Sequence, residues 1–279
     1  MNVLTTIEEN YQQLSMSQQK VAYVIIQHLD EITLLSAKKI GEKANVSEAT
    51  VLRLAKILGY PNFKEFQRDL QASLLKERTL RRMNAIKQND EASWLQSHYD
   101  SEIENLTATK LSNQEKEITD VAKSIMNASH IYLAGWRMGL SLTSPFSYIL
   151  KIMYGAVTQI PQGEIAEYST HFSNKDILII SAFPRYCTET KKVVETAKKQ
   201  GVTIIVFTDS PLSPFVPLAT TSLFAKTVSN SFLDSYTAPV AIMNAIIYRI
   251  SQLDYNRIQK NLTKMEQQWK YMNIEYNEK

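Results

Sequence analysis

The stretch "DILIISAFPRYCTETKKVVETAKKQG", Asp176 to Gly201, decides the architecture. It opens on a run of Ile and Leu too short to be a helix. From Thr188 onward, Val193, Val194 and Ala197 recur at helical spacing up to a closing glycine. A short, wholly apolar strand running into an amphipathic helix is half of a βαβ unit. A strand apolar on both sides is one buried in a parallel sheet. Between strand and helix lie Phe183, Pro184, Arg185 and Tyr186, at the carboxyl end of the strand, where parallel folds collect ligands.

The same alternation extends in both directions from Ser129. IYLAG, AVTQI, VTIIVFTD and TSLFA read as further short buried strands. Helical patterns run to Met153, near Ile165 to Phe172, over Thr188 to Gln200 and over Asp234 to Leu253, and the tail after Asn256 is helix-prone. The fold class is therefore α/β, with a doubly wound parallel sheet covered on both faces and spanning residues 111–279. Residues 1–78 differ: helical spacing throughout, no alternating segment, and Gly only at Gly41 and Gly59, which predicts a small all-α unit. Residues 79–110 are polar and helical in pattern and read as a linker.

Within the helical unit, "LSAKKIGEKANVSEATVLRLAKILGY", Leu35 to Tyr60, resolves residue by residue. Ser36 is an N-cap for a helix whose inner face is Ala37, Ile40 and Ala44. Asn45 suits a left-handed turn, and Val46 plugs the corner. Ser47 caps a second helix with Val51, Leu54, Ala55 and Leu58 on one buried stripe. The opposite face carries Ala49, Arg53 and Lys56, with Thr50 on its flank and Glu48 in the first turn.

Two helices joined by a tight turn, the second with a polar outer face, form the geometry that lays a recognition helix in the major groove. Arg53 is the candidate for a guanine edge. Ser47 and Thr50 are candidates for phosphates or base edges, and Lys38, Lys39, Lys56 and Lys64 for salt-sensitive phosphate contacts. From Ser36 to Gln88 there are twelve Lys or Arg against five Asp or Glu, a footprint that fits a double-stranded DNA operator. A solvated basic helical hairpin gives the same count.

Composition narrows the rest. Cys187 is the only cysteine, so no intrachain disulfide and no thiolate zinc cluster can form. His28, His98, His130 and His171 lack metal-ligand spacing, and no metal or cofactor is implied. The longest mainly apolar stretch, Ala238 to Ile250, is too short to span a bilayer. The N-terminus lacks the order of a signal peptide, so a cytoplasmic protein without a membrane partner is expected.

The helical unit resembles the N-terminal domain of RpiR-type bacterial transcriptional regulators. The likeness rests on VSEATVLR (46–53), the LGY that follows, and Phe63, Phe66 and Leu70 in F-x-x-F-x-x-x-L. It continues through EIENLTATKL (102–111), similar to that family's connecting helix. The resemblance implies a sugar isomerase (SIS) domain that senses a metabolite, usually a phosphorylated sugar. It also implies G-x-G-x-S at the first strand edge and S-x-S-G-x-T at the second, where small hydroxyl residues hold a phosphate. Here Gly135 stands, but Arg137 and Gly139 replace the second Gly and the Ser; Ser181 stands, but Phe183, Pro184 and Tyr186 replace Ser, Gly and Thr.

What stands in those places still suits an anion. Arg137 and Arg185 are at adjacent strand ends, and a guanidinium grips a carboxylate or phosphate through two parallel hydrogen bonds. Gly135, Trp136, Arg137 and Gly139 form the first candidate edge, and Ser181, Phe183, Arg185 and Tyr186 the second. Ser213, in Asp209 to Pro214, marks a third, and Ser235 a fourth. A salt bridge from Arg185 to Glu189 or Glu164 is the alternative use of that guanidinium.

The expected function is a DNA-binding regulator, dimeric or tetrameric, that senses a small acidic metabolite. The alternative is a SIS-fold sugar-phosphate isomerase or lyase with an accessory helical domain. That alternative needs a positioned base, for which Glu164 and His171 are the only candidates, and neither belongs to a spacing that demands catalysis.

Overall fold

The computed structural model describes residues 3–33, 35–86, 93–211 and 213–274, and separates the chain into two compact units, Met1–Gln88 and Asn89–Lys279. The first unit is all helical: α1 (Val3–Asn10), α2 (Met16–Gln27), α3 (Leu29–Ile32), α4 (Ala37–Lys43), α5 (Glu48–Ile57) and α6 (Phe63–Ile86). One core joins them. Val21 and Ile25 from α2, Ile40 from α4, Val51 and Leu54 from α5, and Phe66 and Leu70 from α6 are all fully buried. Burying side chains of this size contributes about 1.5–3 kcal/mol each, which is how these helices hold together without a sheet.

The second unit carries α7 (Trp94–Leu111), α8 (Glu115–Asn127), β1 (Ile131–Ala134), α9 (Leu140–Tyr154), β2 (Val157–Gln159), α10 (Ile165–Ser169), β3 (Ile177–Ser181), α11 (Thr188–Lys199), β4 (Thr203–Thr208), β5 (Thr221–Phe224), α12 (Thr237–Leu253) and α13 (Tyr255–Met272). All four strand pairings are parallel, in the order β2-β1-β3-β4-β5. The five strands read from the sequence are the five observed.

Side-chain alternation sorts the strands onto two faces. Ile177, Ile179, Ile131, Leu133, Ile205 and Phe207 pack under α8, α9, α12 and α13. Leu178, Ile180, Tyr132, Ala134, Ile204 and Val206 pack under α11. Helix α12 begins at Thr237 rather than Asp234, because Asp234 to Tyr236 remain loop.

The span 79–110, read as a linker, divides between the two units. Helix α6 carries the first unit on through Ile86. Helix α7 is built into the second. Asn105, buried, donates its Nδ2 to Val228 O at 2.6 Å; Thr109 Oγ1 accepts from Lys226 N at 2.8 Å; and Asn113 brackets Phe224 through its N and O at 2.9 and 2.7 Å. Among the described residues, no helix is long and apolar enough to cross a membrane.

Candidate functional site

The first candidate surface is the outer face of α5. The corner before it is as the sequence required: Ser36 accepts from Lys39 N at 3.4 Å, Asn45 takes φ 53°, and Val46 N donates back to Gly41 O at 2.8 Å. Gly41 has a reason of its own. A Cβ there would lie 2.9 Å from Val46 O and 3.2 Å from Glu48 N, so only a glycine lets α4 approach the turn this closely. Ser47 departs from its expected cap. Its side chain caps no backbone amide and instead meets Thr50 Oγ1 at 3.0 Å, pairing two hydroxyls on the outer surface at the head of the helix.

Val51, Leu54, Ala55 and Leu58 are buried, while Lys38, Ser47, Glu48, Ala49, Arg53, Lys56 and Lys64 are exposed and Thr50 is half-buried. The structure adds Leu52, 38% exposed beside Arg53. On a helical wheel it falls on the flank, where the pattern assigns neither core nor surface. Gly59 (φ 90°) ends the helix, with Tyr60 N returning to Ala55 O at 3.0 Å.

The second candidate is a cavity of about 120 Å³ at the carboxyl ends of β1 and β3, the point at which the strand order reverses and where doubly wound sheets bind ligands. Trp136, Arg137 and Gly139 line it from the first edge, and Ser181, Phe183, Arg185 and Tyr186 from the second, so seven of the ten expected residues meet in one place. Gly135 makes the meeting possible from beneath. A Cβ there would sit 2.8 Å from Ser181 Cβ and 2.9 Å from Thr143 Cγ2.

Both arginines hold left-handed backbone, φ 56° at Arg137 and φ 70° at Arg185. That conformation disfavours any residue with a Cβ, and such strain concentrates at ligand sites. Trp136 is pinned by its indole N–H, which donates to Ile160 O at 3.2 Å.

Ser213 and Ser235 are not in the lining. Ser213 is buried behind Tyr186, with which it hydrogen-bonds, and accepts from Phe215 N at 3.4 Å. Ser235 turns the other way and donates to Glu102 Oε2 on α7 at 2.7 Å. Its neighbours Asp234 and Tyr236 face the cavity in its stead. Polarity singled out the serine, and the alternation of side chains along the loop decided which residues point inward. Leu212, in the third edge, lies outside the described residues.

The electrostatics follow from burial. Tyr186 donates to Asp209 Oδ1 at 2.7 Å; desolvation and then the Asp209 charge hold its phenol well above the usual range. Tyr236 is pushed up to about 12, by burial first and Asp234 second, against the opposing charge of Arg185. Phe183 meets Tyr236 edge to face at 5.2 Å. Ser181 is 6% exposed, and its hydroxyl has no hydrogen-bond partner among the described residues.

Glu164 and His171 are exposed and do not line the cavity. Glu189, offered as a partner for Arg185, accepts from Gln162 Nε2 at 2.7 Å. His130 lies before β1, at the opposite end of the strand from the cavity. Burial pulls its pKa down against the pull of Asp176.

A helix-turn-helix with an exposed polar recognition face, followed by a parallel-sheet unit with a cavity at its switch point, defines a DNA-binding regulator with its own sensor domain. The chain carries the helix-turn-helix domain of the rpiR family, matched over residues 1–77, followed by a SIS domain, matched over residues 124–249, which is the domain order of an rpiR-type regulator.

The chain is 25% identical to an HTH-type transcriptional regulator of Haemophilus influenzae over 78% of its length and 77% of the relative's. It is 23% identical to another of Caldanaerobacter subterraneus over 94% of both. The fold is shared with the sugar isomerase domain of an RpiR transcription factor from Sphaerobacter thermophilus (TM-score 0.61, 21% identity, 63% of this chain and 99% of that one). It is also shared with Vibrio vulnificus NanR, solved in complex with ManNAc-6P (TM-score 0.66, 15% identity, 99% of this chain and 100% of that one). The N-terminal domain and the relatives mark a regulator rather than an enzyme.

Proposed function

We propose that this regulator binds a small acidic metabolite, a sugar phosphate or a carboxylate, in the switch-point cavity, and that the bound acid changes its affinity for a two-fold operator. One observation carries the reading: Arg137 and Arg185, brought from two separate strand ends, line one cavity in left-handed backbone. Two guanidiniums beside a buried hydroxyl make an anion site, and the NanR complex with ManNAc-6P supports an acidic effector.

On the DNA side, Arg53 and Leu52 face base edges, while Lys38, Lys56 and Lys64 face phosphates, with Ser47, Glu48 and Thr50 at the head of the recognition helix. The protein acts in the cytoplasm as a homodimer or homotetramer, since a two-fold operator calls for a two-fold protein. A ligand that favours one arrangement of the paired DNA-binding units shifts operator affinity by its differential affinity for that arrangement.

Mobility shift on genomic fragments at about 150 mM salt tests the regulator half. Specific retention of a fragment, relieved or strengthened by one acid from a metabolite panel and insensitive to that acid in Arg185→Ala, is the expected result. Retention of every fragment alike removes the reading.

A further inference from the structure

The cavity's own chemistry narrows the class of acid, an inference that rests on the effector-binding reading above. Arg137 and Arg185 bring two positive charges to the lining, and Asp234 brings one negative. A second carboxylate opens the helix that starts at the cavity. Glu189 stands in the first turn of α11, its Oε2 accepting from Gln162 Nε2 at 2.7 Å and from the Cys187 thiol at 3.7 Å. The positive end of that helix, which would otherwise draw an outside anion, already has a carboxylate of the protein's own beside it.

Two positions of the loop offer no amide to a ligand. Ala182 N is committed to Phe207 O at 2.9 Å, and Pro184 has no N–H. A phosphate monoester presents three strong acceptor oxygens and about 1.5 to 2 negative charges at pH 7. A carboxylate presents two oxygens and one charge, which the fork of a guanidinium matches.

One group in the site is left over. Ser181 lines the cavity, and its hydroxyl is buried and has no partner among the described residues. Buried side-chain hydroxyls in folded proteins are hydrogen-bonded in the large majority of cases, so this one is placed to receive a ligand oxygen. Phe183 and Tyr236, in edge-to-face contact, give the same cavity an apolar wall.

We infer that the effector is a hydroxylated or keto monocarboxylic acid, a sugar acid or a short 2-hydroxy or 2-keto acid, and not a phosphate monoester. Its carboxylate lies on the arginine pair, and a hydroxyl or carbonyl oxygen meets Ser181.

Matched probes decide it. The full-length protein is titrated by calorimetry and thermal shift with glucuronate against glucose 6-phosphate and galacturonate against galactose 6-phosphate. Aldonates, lactate, pyruvate and inorganic phosphate complete the panel. The expected result is saturable binding of at least one carboxylate and of no phosphate. Ser181→Ala weakens that binding by about tenfold, the loss of one hydrogen bond. Arg185→Lys, which keeps the charge and loses the fork, weakens it at least as much.

Binding of sugar phosphates in preference to their matched carboxylates overturns this inference and leaves the acidic-effector reading standing. A panel in which no acid of either class binds overturns both. Carboxylate binding unchanged in both variants overturns the placement of the ligand.

Discussion

Ser235 and Glu102, 133 residues apart, are joined hydroxyl to carboxylate at 2.7 Å, and this bond ties the cavity's Asp234–Tyr236 edge to α7. Helix α7 is the first described helix after the DNA-binding unit in the chain. Ser235→Ala removes the donor and leaves a half-buried carboxylate without it, at a cost of about 1–3 kcal/mol. A lower thermal midpoint is expected, with faster amide exchange concentrated in α7 and in residues 226–237. Unchanged exchange in α7 would show that the bond does not hold the helix.

On the recognition helix, Arg53→Ala is expected to cost about 1–3 kcal/mol of operator affinity and to relax base preference at one position. Lys56→Ala weakens all sequences alike and lowers the salt slope by about one. Leu52→Gln removes an apolar group suited to a thymine methyl and erases any thymine preference next to the Arg53 position. Selection from random duplexes with each variant reads all three effects.

Gly41→Ala drives a Cβ to 2.9 Å from Val46 O, a backbone atom that cannot swing away. Overpacking of this kind costs about 1–3 kcal/mol. The helical unit should therefore unfold at lower temperature and lose DNA binding, while the sheet unit keeps its own transition. Calorimetry of the full chain separates the two.

The left-handed arginines allow a comparison in which the lost side chain cancels. Arg137→Gly and Arg185→Gly should each be more stable than the matching Ala variant by about 1 kcal/mol, because only glycine tolerates φ 56° and φ 70° without strain. All four variants should lose effector binding. Equal stability of the Gly and Ala forms would show that the backbone relaxes once the guanidinium is gone.

Tyr236 supplies a pH test. Its phenol is raised to about 12 in the folded protein, by burial first, so its neutral form is favoured there. The unfolded chain ionises this tyrosine near pH 10. Its contribution to stability is therefore complete below about pH 10 and is lost as the pH rises from there toward 12. Urea unfolding of wild type and Tyr236→Phe at pH 9, 10 and 11 should show the wild type losing stability more steeply across that range.

The sequence alone determined which segments become strands and which become helices in the sheet unit, because a run such as Ile177 to Ile180 has no other way to hide apolar side chains on both sides. It also determined the helix-turn-helix, since Asn45, Val46 and the stripe from Val51 to Leu58 each answer to a local rule of turn conformation or helical period. That Arg137 and Arg185 sit at neighbouring strand ends was legible for the same reason, parallel strands placing their following loops on one edge.

Only the tertiary structure decided what those loops do there. It set both arginines in left-handed backbone, left the Ser181 hydroxyl without a partner among the described residues, and turned Ser235 to α7 while Asp234 and Tyr236 took its place in the lining. It also drew α7 out of an apparent linker into the sheet unit, through Asn105 and Thr109. Loop conformation and side-chain direction depend on contacts from more than 100 residues away, as the bonds of Asn105 to Val228 and Glu102 to Ser235 show, and no local period in a sequence encodes those.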